Sequence, residues 1–192
     1  VAPLRADTST SQSASGTFAG RFAGYASLFG KADDQGDVVL PGAFAAALAR
    51  RAPSRVALLY QHDVARPVGT WMSLREDQHG LWAEGQLAMQ SDAGREAHAL
   101  LSAGALTGLS IGFHAVRATR RPGGGRMLHE IDLWEISLVT FPMLEAARVS
   151  HVKAAPVSAF SQMQSTALAR AMRRAGAALA SPDLTGKGAT DA

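Results

Sequence analysis

The sequence predicts a single domain of the α+β class, mainly β with a few short helices, and three observations carry that prediction. Several segments alternate apolar and small or polar residues with a period of two and are bounded by Gly, Pro and Asp clusters, the pattern of strands joined by turns. Two stretches in the body of the chain, PGAFAAALARR and SDAGREAHALLS, read as helices. Strands and helices do not take turns along the chain as a parallel βαβ sheet requires. At 192 residues, 47% hydrophobic and 18% charged, the chain has length for one core of about 130 to 150 residues plus tails.

Residues 1–16, rich in Ser, Thr and Ala, have little to bury and read as a disordered arm, so the domain is expected to start at Thr17. Thr17 to Phe29 mixes aromatics with small residues in partial alternation and is expected to be a strand. The loop KADDQGD follows. Its Asp33, Asp34 and Asp37 lack the spacing and closing Glu of a calcium loop, which leaves a solvated turn. VVLPGAFAAALARR then reads as a short strand, a Pro-Gly break and a helix of about ten residues. Val56 to His62 is expected to be a strand with Val56, Leu58, Tyr60 and His62 on one face. Pro67 to Arg75 and Gly80 to Met89 look like a hairpin around the polar turn EDQHG. Ser91 can cap a helix running to about Ser102, with Asp92 at the positive end of its dipole and Gly104 as its stop.

The next strand sets Leu109, Ile111, Phe113 and Ala115 on one face and Gly108, Ser110, Gly112 and His114 on the other. RATRRPGGGR, Arg117 to Arg126, reads as an exposed basic loop. Met127 to Phe141 reads as a long strand, with Ile131, Leu133, Glu135, Ser137 and Val139 on one face and Trp134, Ile136 and Leu138 making the other apolar. Beyond Lys153 the composition turns to Ala, Ser, Gln and Arg, and Phe160, Met163, Leu168 and Met172 are spaced as in one amphipathic helix. Residues 154–192 are therefore expected to be a tail.

Composition removes several function classes. With no Cys there are no disulfides, thiol nucleophiles or thiolate-bound zinc, and the six His residues form no HExxH-type pair. No apolar run reaches about 18 residues, which argues against a membrane span. The pI near 9.8 rests on a net charge of only +3, and aromatics are not interleaved with a basic patch, which argues against nucleic acid as a partner.

The stretch GLSIGF, Gly108 to Phe113, offers a hydroxyl between two glycines, and Ser110 is the candidate nucleophile. A serine needs a neighbouring base and a group that orients the base. His62 of YQHD and Glu135 of LWEISLV are the candidates. Glu135 is hemmed in by apolar residues, so a carboxylate there needs a partner, either a buried Arg or the His62 ring. GLSIG also fits the nucleophile elbow of α/β-hydrolases, with Asp132 and His151 in that fold's order. That elbow leads into a helix, whereas FHAVRATR continues as a strand.

GYASLFGKADDQGDVVLPGAF, YQHD followed by PVGTW, GLSIGF and LWEISLVTFPMLEAA, in this order, resemble the tailed-phage prohead maturation serine protease family, found also in gene transfer agents; the similarity covers about residues 17–153. The resemblance implies the fold of the herpesvirus capsid assembly proteases, a closed, mainly antiparallel β-barrel flanked by a few helices. It also implies a serine endopeptidase, without a cofactor, that acts inside the assembling procapsid in the host cytoplasm. Its expected partners are the major capsid protein with its scaffolding segment and the protease itself, through self-cleavage or oligomerisation. By motif position the catalytic residues fall on His62 and Ser110, with the third member on Glu135 and His114 or His129 as alternatives. Ile111, Gly112 and Arg148 are candidates for stabilising the oxyanion. The tail of 154–192 is then a docking or self-cleaved segment. The competing expectation is a catalytically inactive capsid assembly or scaffolding protein with a protease-like barrel, in which the three side chains would not converge.

Overall fold

The computed structural model describes residues 19–153. The tail helix expected around Phe160 to Met172, the docking or self-cleavage role of residues 154–192 and the disordered arm of residues 1–16 lie outside the described residues. Eight strands form one sheet: β1 (Arg21–Leu28), β2 (Val38–Val39), β3 (Ala57–Tyr60), β4 (Asp63–Glu76), β5 (Gly80–Leu87), β6 (Gly108–Arg120), β7 (Arg126–Val139) and β8 (Val149–Val152). Their spatial order is β2-β7-β3-β4-β5-β1-β8, with β6 also on β7. Most pairings are antiparallel, but β2 and β3 run parallel to β7.

The sheet does not close into the barrel that the family resemblance implied. Its ends, β6 and β8, meet at one antiparallel bridge, Gly108 with Arg148. Beside it Leu109 N donates to Ala147 O at 2.9 Å and Val149 N to Thr107 O at 2.8 Å. Past that rung, register shifts at Gly112/Phe113, Ala115/Arg117 and Arg117/Ala118 bend the β6–β7 ribbon, and no second rung forms. The edge of β6 beyond Leu109 therefore stays open.

The core lies under this sheet. Leu81, Leu109, Ile131, Ile136 and Leu138 are wholly buried, and Trp71 meets Phe22 edge-on at 5.5 Å between ring centroids. Each such large side chain is worth about 1.5–3 kcal/mol relative to exposure, so the long alternating strands supply most of the burial. Helix α2 (Asp92–Ser102) is built as expected: Ser91 Oγ accepts from Gly94 N at 3.0 Å, Ala97 and Leu101 face the core, and Gly104 closes the helix end at φ +72°. Helix α1 (Ala45–Arg50) has only six residues. Gly42, at φ +86°, and buried Phe44 are spent on the turn before it, and Pro53 follows shortly after its end.

Three further expectations need correction, and one strand is additional to those expected. Strand β6 runs on to Arg120, so the basic loop shrinks to residues 121–125, and it is anchored rather than loose: Arg121 Nη1 donates to Gly36 O at 3.2 Å. In the acidic loop Asp37 is buried, not solvated, because Arg126 holds both its oxygens. Trp134 is 57% exposed, so the apolar second face of β7 is not buried throughout. Strand β8 was not anticipated; its four residues are half-buried or exposed and show no apolar alternation.

Candidate active site

The strand expected to carry His62 stops at Tyr60. Tyr60 pairs with Asp63, and between them Gln61 and His62 have φ +54° and +60°, a two-residue hairpin loop of the primed type. Two consecutive non-glycine residues in the left-handed region cost about 1 kcal/mol or more each, and the end of β7 offsets that cost. Gln61 N donates to Leu138 O at 2.9 Å. The Gln61 amide exchanges hydrogen bonds with Thr140, donating to Oγ1 at 2.7 Å and accepting from N at 3.3 Å. His62 N donates to Ser137 Oγ at 3.2 Å. Parallel pairing of β3 with β7, Leu59 opposite Ser137, is what brings this loop to that end of β7.

The turn aims the imidazole at Glu135. His62 Nδ1 lies 2.5 Å from Glu135 Oε1, and Ser137 Oγ donates to Glu135 Oε2 at 2.6 Å. Both carboxylate oxygens are thus taken by a histidine and a serine, and the alternative partner weighed from the sequence, a buried arginine, is not what they meet. The Glu135 side chain is only 14% exposed and that of His62 42%, so the acid is sheltered while the ring reaches the surface. With Nδ1 occupied by the acid, Nε2 is the ring nitrogen left for a substrate-side proton.

Ser110 sits across the β6–β7 ladder from Ser137, and the next residue on the same face, Gly112, sits across from Glu135. A side chain at 112 would overlap the Glu135 carboxylate, so glycine there makes room for the acid. Ser110 is 3% exposed, and its hydroxyl has no hydrogen-bond partner among the described residues. No hydrogen bond joins it to His62, yet both line one cleft of about 450 Å³ together with Leu109, Ile111, Gly112 and His114. Nucleophile–base contacts are often long in unliganded sites and tighten with substrate bound.

Backbone geometry separates the oxyanion candidates. Leu109 N–H points away from β7 to Ala147 O, and N–H groups alternate along a strand, so that of Ile111 also points to the open edge of β6 while that of Gly112 points to β7. Arg148 is elsewhere: its guanidinium donates to Glu145 O and to Thr107 Oγ1, both at 2.9 Å, and it does not line the cleft. His114 stacks on Trp134 at 6.4 Å, and His129 Nε2 lies 2.9 Å from Thr119 Oγ1, so neither alternative third member meets His62. Asp132 is bound to Trp134 Nε1 and faces Arg51, and His151 lies on β8 beside Trp82, so the elbow-type triad does not assemble around Ser110. The Trp134 N–H, with Arg51 and Arg50 beside it, holds the Asp132 carboxyl below the usual carboxylate range.

Sequence reasoning passed over Ser137, whose one available signal was a hydroxyl two residues after Glu135 on the same strand face. It also passed over the Asp37–Arg126 pair, which borders the cleft. Asp37 accepts from Arg126 N at 2.8 Å and from its guanidinium, and this bonding raises the Arg126 pKa above its ordinary value.

The family model described as caudovirus prohead serine protease matches residues 6–163. The chain belongs to that family. Among curated relatives, the prohead protease of Enterobacteria phage HK97 is 39% identical over 137 residues, which cover 70% of this chain; the chain spans 60% of that relative's length. Among solved structures, KSHV protease in complex with a hexapeptide phosphonate inhibitor superposes with a TM-score of 0.50 at 16% identity, over 82% of this chain and 76% of that one. The capsid assembly protease of bacteriophage T4 superposes with a TM-score of 0.49 at 12% identity, over 62% of this chain and 80% of that one. At its identity the KSHV likeness bears on the fold alone, a mainly β sheet with few helices.

Proposed function

We propose that this member of the prohead serine protease family is an endopeptidase of capsid maturation, with Ser110 as nucleophile, His62 as general base and acid, and Glu135 as the orienting acid. Its substrates are the scaffolding segment of the major capsid protein, inside the procapsid in the host cytoplasm, and its own chain. One observation carries the reading: a histidine held on a carboxylate at 2.5 Å opens on the same cleft as a buried serine hydroxyl with no hydrogen-bond partner among the described residues.

The chemistry follows from those positions. As Ser110 Oγ attacks a peptide carbonyl carbon, its proton passes to His62 Nε2 and the carbonyl oxygen takes the negative charge. Glu135 accepts the Nδ1–H and stabilises the imidazolium. The Ile111 N–H, on the open edge of β6, is the oxyanion donor this geometry favours. Collapse of the intermediate breaks the C–N bond, and His62 returns the proton to the leaving amine. Water then repeats the sequence on the acyl-enzyme.

The test is co-expression of the chain with its capsid protein precursor, paired with labelling of the purified chain by a fluorophosphonate. Wild type should yield shortened capsid protein and carry the label on Ser110. Ser110→Ala should lose both, with a rate loss on the order of a thousandfold or more. Shortened capsid protein in the presence of folded Ser110→Ala would overturn the reading. So would a wild-type chain that neither labels nor cleaves, the behaviour of an inactive assembly protein.

A further inference from the structure

Ser137 is wholly buried, yet its hydroxyl both accepts and donates a hydrogen bond. It accepts the His62 backbone N–H at 3.2 Å and donates to Glu135 Oε2 at 2.6 Å. Ser137 lies in the stretch of β7 from Glu135 to Leu138 that pairs with both neighbours, where its own rung reaches Leu59 of β3 on one side and Ser110 of β6 on the other. Its hydroxyl thus sits between the strand leading to the base and the strand bearing the nucleophile.

We infer that Ser137 is a positioning residue for the His62–Glu135 pair, tying the backbone of the base to the second oxygen of the acid. Three physical points support this, given the reading of His62, Ser110 and Glu135 as the reacting groups. A carboxylate on a flexible side chain can present either oxygen in several orientations, and a donor on Oε2 leaves Oε1 aimed at the ring. The left-handed conformation of His62 is costly, and the Ser137 hydroxyl is the acceptor for its N–H. Water cannot replace either bond at a residue with no exposed surface, so removing the hydroxyl leaves a donor and a charged acceptor with one partner fewer. A small side chain needed only for packing under Ser110 would ask for none of this, and alanine would serve it equally well.

The experiment follows from that contrast. The full chain and its Ser137→Ala and Ser137→Thr variants are reacted with a fluorophosphonate over a range of concentrations. In parallel, the Nδ1–H proton of His62 is observed by NMR in chains labelled at histidine nitrogen. Ser137→Ala should fold, with a melting temperature lowered by a few degrees at most, and should show a maximal labelling rate on the order of tenfold to a hundredfold lower at an unchanged half-saturating concentration. Its Nδ1–H signal should move or vanish, and Ser137→Thr, which keeps the hydroxyl, should recover part of both. Where threonine does not fold, Ser137→Cys takes its place. A Ser137→Ala chain with the wild-type rate, or with an unmoved Nδ1–H signal, would overturn the inference. Failure of the active-site reading looks different: Ser110 would then stay unlabelled in the wild type, while the NMR signal would still show whether Ser137 holds the pair.

Discussion

Gly112 and Glu135 face each other across the β6–β7 ladder, and the space of the missing glycine side chain is filled by the Glu135 carboxylate. A β-carbon at 112 would meet the end of a flexible side chain rather than backbone, so the fold can absorb it by swinging the carboxylate aside. The contact with His62 cannot survive that swing. Gly112→Ala is therefore expected to melt close to the wild type and to lose activity by about a hundredfold or more, the scale on which misplaced catalytic groups are felt. Matched melting curves and fluorophosphonate labelling rates check this; an active Gly112→Ala chain would show that Glu135 does not depend on that space.

Much of the strand layout was legible because long half-buried strands advertise themselves by alternation, as β5 and β7 do, and because Ser91 and Gly104 mark the ends of α2 by local chemistry. The loop that places His62 was not legible. A primed two-residue turn normally announces itself with Asn or Gly, and here Gln61 and His62 adopt it only because Leu138, Thr140 and Ser137 hold them from another strand. Asp37 looked like one more solvated acid because its partner, Arg126, is 89 residues away in sequence. Closure of the barrel was a property of the resemblance, and the bulges after Gly112 that keep the sheet open have no sequence mark of their own.

Glu135→Gln separates an orienting acid from a structural ion. With the carboxylate held by His62 and Ser137, the amide keeps the shape but can present N–H where an acceptor is needed, favouring the wrong imidazole tautomer and removing the charge that stabilises the imidazolium. Turnover should fall by up to roughly four orders of magnitude. Stability should change little, in contrast to the ~3–5 kcal/mol that stranding a buried cation would cost. A stable Glu135→Gln chain that cleaves at the wild-type rate would remove Glu135 from the mechanism.

The β4–β5 hairpin carries a pH dependence of stability that is independent of the cleft. Asp77 accepts from His79 N at 2.8 Å and Gly80 N at 3.2 Å across the turn and from the Tyr25 hydroxyl at 2.8 Å. The His79 N–H is the largest cause, followed among the stabilising ones by the Tyr25 hydroxyl, and together these bonds hold the Asp77 carboxyl below the usual carboxylate range. The same bond to Asp77 raises the Tyr25 phenol. A carboxyl depressed by folding adds stability that is present above its unfolded pKa and is lost as pH falls through the folded value, so this contribution should fade below about pH 4. A phenol raised by folding works in the opposite sense: its share is complete below about pH 10 and disappears as pH rises through the folded value. Asp77→Asn should lower the melting temperature at pH 7 by roughly 4 °C, with the gap to wild type closing toward pH 3, while Tyr25→Phe should show a gap that closes only at strongly alkaline pH. Melting curves of the three chains from pH 3 to pH 11 test both windows, and an Asp77→Asn gap that stays constant through acid would mean that the carboxylate's charge contributes nothing to the turn.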